Sequence, residues 1–230
     1  MLKRAVFTAL AALALTTAFA PNAEAAFGTD VVGAAAVTSF GEILGALPSP
    51  SANETEHTWV IAAPDGQASF SWRSAEEGER PFDVYISFDA APFVNAGLDA
   101  DKLPAAMKPK LPEGQLVVGG KLSNGMKYAG DVTPLSSFEQ IALLDRDAVG
   151  FHAPLGHYGV TVADGFVFEF AEDMSKNDKD IVFVLDPKVF IDAGAIPEKV
   201  EGWTFGKVPL EDEWGRPFEA EKFLKPFDLE

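Results

Sequence analysis

The chain contains no cysteine. Thiol catalysis, iron–sulfur clusters and cysteine-ligated zinc are thereby excluded, and the fold must hold without disulfides. Positive charge is scarce: 18 lysines and arginines face 35 aspartates and glutamates, for a formal net charge of −17. A nucleic acid or an anionic membrane needs a basic footprint, so neither is expected as a partner. Histidine is limited to His57, His152 and His157. The chain also lacks a Gly-x-Ser-x-Gly nucleophile elbow, a phosphate-cradling glycine loop and a dinucleotide fingerprint.

The longest apolar run lies at the N-terminus and reads as a secretory signal. Met1-Leu2-Lys3-Arg4 is a short basic start, Ala5 to Ala20 is apolar, and Ala23-Glu24-Ala25 is a small-x-small cleavage site. The run falls short of the roughly 20 residues that a membrane-spanning helix needs. Residues 1–25 are therefore set apart as a signal peptide cleaved after Ala25, and residues 26–36 as an N-terminal lead-in. The remainder is expected in the periplasm or outside the cell, with no membrane insertion. Without a cysteine there is no lipid anchor of the lipoprotein type.

What is present is self-similarity, the first thing to seek in a chain of this length. Asp83 to Leu103 aligns without a gap on Asp180 to Val200 at an offset of 97, with Asp83/Asp180, Asp89/Asp186, Phe93/Phe190, Ala96/Ala193, Gly97/Gly194 and Lys102/Lys199 identical in place. Upstream, His57 to Gly66 resembles His157 to Gly165, and Ser39-Phe40 resembles Ser137-Phe138. Downstream, Gly120-Lys121-Leu122 resembles Gly206-Lys207-Val208. Residues 37–131 and 132–230 are therefore expected to be two tandem copies of one unit.

Each unit is expected to start with a helix, Ser39 to Leu47 and Ser136 to Leu144, where Ser39…Glu42 and Ser136…Glu139 have capping-box spacing. Asp65-Gly66 and Asp164-Gly165 then sit between β-rich runs as hairpin turns. A third strand follows at Val84–Phe88 and Ile181–Leu185, and the second of these, wholly apolar, suits a central buried strand. Asp89 and Asp186 are expected to cap short helices closed by Gly97 and Gly194. A β-hairpin ends each unit, turning at Asn124-Gly125 and near Trp214-Gly215. The expected class is α+β: helix, three-strand antiparallel meander, short helix and hairpin, twice over, packed about a pseudo-two-fold axis.

Chemistry is less legible. Asp145, Asp147, His152 and His157 gather two carboxylates and two imidazoles within 13 residues, donors suited to zinc or another divalent ion. Their spacing matches no ligand signature, and no other cofactor is expected. Asp173 to Asp180 alternates oxygen donors but lacks the glycine and terminal glutamate of a calcium loop. Asp83, Asp180, Lys102 and Lys199, kept in both copies, are candidates for ion pairs within each unit. The leading expectation is an exported non-enzymatic protein that binds a small ligand or an envelope protein in the crevice between the units, lined by Trp203, Trp214, His57 and His157. One alternative is a metal-dependent hydrolase using the His/Asp set. The other is a structural or assembly component of the cell envelope.

Overall fold

The computed structural model describes residues 29–47, 51–53, 58–73, 83–107, 114–120, 133–144, 148–176, 179–212 and 214–229. In chain order the elements are α1 (Thr29–Ala46), β1 (Ser51–Asn53), β2 (Thr58–Ala62), β3 (Ala68–Arg73), β4 (Val84–Asp89), α2 (Ala91–Asn95), β5 (Gln115–Gly120), α3 (Pro134–Leu144), β6 (Val149–His152), β7 (His157–Ala163), β8 (Phe166–Ala171), β9 (Ile181–Leu185), α4 (Lys188–Asp192), β10 (Thr204–Glu211) and β11 (Pro217–Phe227). Short 3-10 turns follow α2 and α4. Among the described residues no helix is long and apolar enough to cross a membrane.

The class is α+β, with two antiparallel sheets. The first runs β1-β2-β3-β4-β5, and the second runs β10-β11-β9-β8-β7-β6. Both hairpin turns form where Asp-Gly predicts them, but by different routes. Asp164-Gly165 makes a two-residue loop under the Ala163↔Phe166 pair. In the first hairpin Pro64 locks φ near −65°, which a type I′ turn cannot accept. The chain instead closes Ala63 to Gly66 by a 2.8 Å backbone bond, and Gly66 takes the positive φ of 73°. Ile181–Leu185 is the central strand its composition implies, flanked by β8 and β11 and buried at every position.

Three expectations need correction. Between its first helix and its meander each half carries a strand that the expected element order lacks, β1 and β6. Both are short, and Gly150 interrupts the second, so neither carries a periodic signal. The helix α1 begins at Thr29, which places Ser39 mid-helix rather than at a cap. In α3 the cap is Thr133, whose Oγ1 accepts the Ser136 amide at 3.1 Å while Ser136 Oγ accepts the Thr133 amide at 2.9 Å. Finally, β5 pairs directly with β4, whereas β10 lies one strand away from β9, with β11 between. The matched glycines Gly120 and Gly206 therefore do not hold corresponding places; β5 stands beside β4 as β11 stands beside β9. The turn expected at Asn124-Gly125 lies outside the described residues.

The two short helices follow the expected punctuation with a one-residue shift. Each starts two residues after its aspartate, and Asp89 Oδ1 and Asp186 Oδ1 accept the Ala91 and Lys188 amides at 2.9 and 2.8 Å. Gly97 and Gly194 close them at φ 103° and 101°. The kept charged residues do not pair with each other: Asp83 holds Arg73 at 3.0 Å, Lys102 reaches Asp99, and Asp180 accepts the Leu229 amide.

One apolar core joins the two sheets and the helices. Phe40 of α1 stacks on Phe138 of α3 at 3.7 Å, Phe70 of β3 on Phe168 of β8 at 4.3 Å, and Phe93 of α2 meets Phe190 of α4 at 4.7 Å between centroids. Each such pair contributes about 0.5–1.5 kcal/mol beyond its buried area. The long helices cross over. α1 packs on β6 and β8 of the second sheet, and Ser39 Oγ donates to the Glu172 carbonyl at 2.9 Å. α3 packs on β3 of the first sheet, and Ser137 Oγ donates to the Arg73 carbonyl. Gly33 lets the helices touch, since a Cβ there would lie 2.4 Å from the Ala142 carbonyl oxygen.

Candidate functional site

A cleft of about 520 Å³ opens between the β2–β3 turn of the first sheet and the start of β10 and end of β11 in the second. Pro64 and Asp65 form one wall, and Gly202, Trp203, Lys225 and Phe227 the other. Trp203 is 8% exposed; its ring packs on Phe88 and Phe93 at 6.0 and 5.7 Å. The indole Nε1 is buried with no hydrogen-bond partner among the described residues. An indole N–H in that state carries its desolvation cost uncompensated, on the order of 1–3 kcal/mol.

Lys225 knots the two walls together. Its buried ammonium donates to Asp65 Oδ2 at 2.5 Å, Gln67 Oε1 at 3.1 Å and the Gly202 carbonyl at 3.0 Å, and lies 5.7 Å from the Trp203 ring centroid. Three N–H donors meet three acceptors, so the cation is satisfied where it stands. Gly202 has φ 78°, and a Cβ there would lie 2.3 Å from Gln67 Oε1 and push that side chain aside. Burial alone would raise the Asp65 pKa, but the Lys225 and Gln67 N–H bonds and the Lys225 charge outweigh it and hold the carboxyl below its ordinary value.

The second polar cluster lies inside the β6–β10 sheet. His152 and His157 face each other across the β6–β7 turn, and Glu169 stands opposite Gly159 on β8. His152 Nδ1 lies 3.2 Å from Glu169 Oε1, and His157 Nδ1 lies 3.4 Å from Glu169 Oε2. His152 Nε2 donates to the Pro209 carbonyl at 2.7 Å. Glu169 is 1% exposed. Burial pushes its pKa up, but bonds from both imidazoles and their charge more than reverse this, and the carboxyl is held below its ordinary value. For His152 burial lowers the pKa, yet the Glu169 bond and charge, the Pro209 carbonyl and Glu211 together raise it.

The candidates from sequence thus fall in three places. Trp203 lines the cleft. Trp214 sits at the β10–β11 tip, 70% exposed, with the Arg216 guanidinium 4.7 Å over its ring. Asp212 shapes that tip by accepting the Trp214 and Arg216 amides at 3.0 and 2.9 Å. His152 and His157 come together on Glu169, while His57, Asp145 and Asp147 lie outside the described residues. Among the described residues no group of three or more His, Asp or Glu side chains is arranged to hold a metal ion. Asp173 is taken up locally by the Ser175 amide at 3.0 Å and by Lys176 at 2.7 Å.

Sequence reading missed Lys225, Asp65 and Glu169. Glu169 carried a faint signal: it is the one charged residue in the strand Phe-Val-Phe-Glu-Phe-Ala, and alternation would send it to solvent on the face opposite the phenylalanines. No protein-family model, curated protein or solved structure matches the chain.

Proposed function

We propose that the chain is an exported binding protein built from two copies of one unit, and that it takes a small ligand in the cleft where the copies meet. The observation that carries this reading is the cleft itself. It has a volume within the range of small-molecule sites, roughly 300–1,000 Å³, and it is lined by Trp203, whose buried indole Nε1 has no partner among the described residues. The chemistry favours a ligand with a flat apolar body and a hydrogen-bond acceptor that reaches Trp203 Nε1. The basic start, apolar run and Ala23-Glu24-Ala25 site support export.

Duplication draws support from contacts that repeat with their partners exchanged. Phe40 and Phe93 each meet the residue that the sequence alignment pairs with them, and Phe70, opposite Ile86 on β4, meets Phe168, opposite Phe183 on β9. Asp99 N donates to the Ala193 carbonyl and Ile196 N to the Ala96 carbonyl, both at 2.9 Å. These four residues are related by the same offset of 97, taken in opposite directions. An isologous interface has this reciprocity.

Thermal unfolding against a library of planar carbonyl and carboxylate compounds tests the binding reading. The expected result is a melting shift by one class, reduced in Trp203→Phe, which keeps an aromatic ring but removes the N–H. A ligand bound equally well by Trp203→Phe, or sensitive only to Trp214→Ala, would place binding elsewhere.

A further inference from the structure

β6 and β10 are the two edge strands of the six-stranded sheet, with four strands between them. The bond from His152 Nε2 to the Pro209 carbonyl at 2.7 Å therefore ties one edge of a sheet to the other. The hairpin reaches that far because it outruns its neighbour. Its last pair with β9 is Phe223↔Leu185, but β10 and β11 stay paired out to Glu211↔Pro217. The concave side of the curled sheet encloses Val167, Val182 and Val184 as a small apolar cluster, with Glu169 and the two histidines.

Counting hydrogens shows what the tie needs. A carbonyl oxygen only accepts, so His152 Nε2 must carry a hydrogen. Nδ1 faces Glu169 Oε1, and the other Glu169 oxygen faces His157. One further proton must lie between Nδ1 and Oε1. Without it, the lone pairs of an imidazole and a carboxylate would oppose each other at 3.2 Å in a buried site.

We propose that this proton works a clasp: while it is bound, His152 bridges Glu169 on β8 to Pro209 on β10 and keeps the curled sheet shut; on its loss the one hydrogen left on the imidazole is held at Nδ1 by the Glu169 carboxylate, Nε2 turns a lone pair to the Pro209 carbonyl, and the β10 edge is freed from β6. Among the described residues His152 faces groups from three strands. His157 comes from β7, Glu169 from β8, and Glu211 from β10, with Glu219 opposite Pro209 on the exposed side of β11. Tyr158 points to the other face, against Phe151 and Phe170, where α1 packs and carries the exposed Glu42. Burial lowers the His152 pKa, but the Glu169 bond and charge, the Pro209 carbonyl and Glu211 more than reverse this and hold it above its ordinary value. Release therefore falls on the alkaline side of that value.

The test uses the absence of cysteine. Nitroxide labels on Ala153→Cys and Lys207→Cys, both exposed, report the β6–β10 separation by pulsed electron resonance, while nitrogen NMR follows His152 in the same pH series. The clasp predicts both His152 nitrogens protonated on the acid side of its titration, with one narrow inter-label distance. A broader, longer population then grows in as His152 loses its proton. Glu169→Gln moves both changes to lower pH. An inter-label distance unchanged through the His152 titration overturns the proposal, as does a His152 that loses its proton on the acid side of the ordinary histidine range. Should Glu169→Gln fail to fold, the unsubstituted Glu169 chain decides the matter alone.

Discussion

Phe70 on β3 and Phe168 on β8 lie face to face, their ring centroids 4.3 Å apart and their planes 9° from parallel. Both are fully buried, and each belongs to a different sheet. Phe70→Ala or Phe168→Ala is expected to cost about 3–5 kcal/mol through lost burial and a cavity. The double variant is expected to cost less than the sum by about 0.5–1.5 kcal/mol, the coupling of one aromatic pair. Urea unfolding of the four proteins measures this; strict additivity would mean that the rings do not support each other.

Gly97 and Gly194 meet back to back where α2 and α4 end. A Cβ on Gly97 would lie 3.0 Å from the Gly194 carbonyl oxygen, and one on Gly194 would lie 3.1 Å from that of Gly97. Both also sit at positive φ, which costs a residue with a Cβ roughly 1–2 kcal/mol. Alanine at either position is expected to lower stability by at least that much, and by a similar amount at the two. A neutral effect in thermal unfolding at one position would break the equivalence.

The Glu169 cluster sets a stability plateau with two edges. The Glu169 pKa is lowered by folding, so its contribution holds above the unfolded value near 4.3 and fades as pH falls through the folded one. The His152 pKa is raised, so its contribution holds below about 6.5 and fades as pH climbs through the folded value. Glu169→Gln takes away the counter-charge of the buried imidazolium and is expected to cost about 3–5 kcal/mol at the pH where His152 is charged in the unsubstituted protein. It should also flatten the alkaline fall. Denaturant midpoints from pH 4 to 9 check both edges.

Asp65 and Lys225 differ in exposure, and their substitutions should differ too. Asp65→Ala leaves a buried ammonium with two of its three acceptors, at a cost of about 1–3 kcal/mol. Lys225→Met removes the cation and leaves a half-exposed carboxylate that water can satisfy, so it should cost less. Because the Asp65 pKa is lowered by folding, its contribution is present above the unfolded value near 3.9 and is lost as pH falls through the folded one. Lys225→Met should weaken that acid dependence, leaving the part due to the Gln67 amide, as seen in thermal unfolding below pH 5.

Much of the fold was legible because its signals are local. Asp-Gly marks the hairpin turns, Asp89 and Asp186 with Gly97 and Gly194 bracket the short helices, and five apolar residues in a row mark β9. β1 and β6 escaped because three or four residues hold no period, and they are strands only by virtue of the neighbours they pair with. The candidate site was less legible for a similar reason. Trp203 drew notice as a large aromatic, but its partner Lys225 is 158 and 160 residues from Gln67 and Asp65 in the chain. Glu169 looked like a solvent-facing strand residue because nothing local announces that the β10–β11 hairpin folds back to cover its face.

The cleft reading meets its most direct test in the indole N–H spectrum of the protein, which has four tryptophans, Trp59, Trp72, Trp203 and Trp214. Small-molecule extract from the cell envelope is titrated into nitrogen-labelled protein. The account predicts that the Trp203 indole resonance shifts as its Nε1 gains an acceptor, while that of Trp72, already bonded to the Pro134 carbonyl at 3.2 Å, stays in place. A saturable response confined to Trp214 at the exposed tip, with Trp203 unmoved, would contradict it.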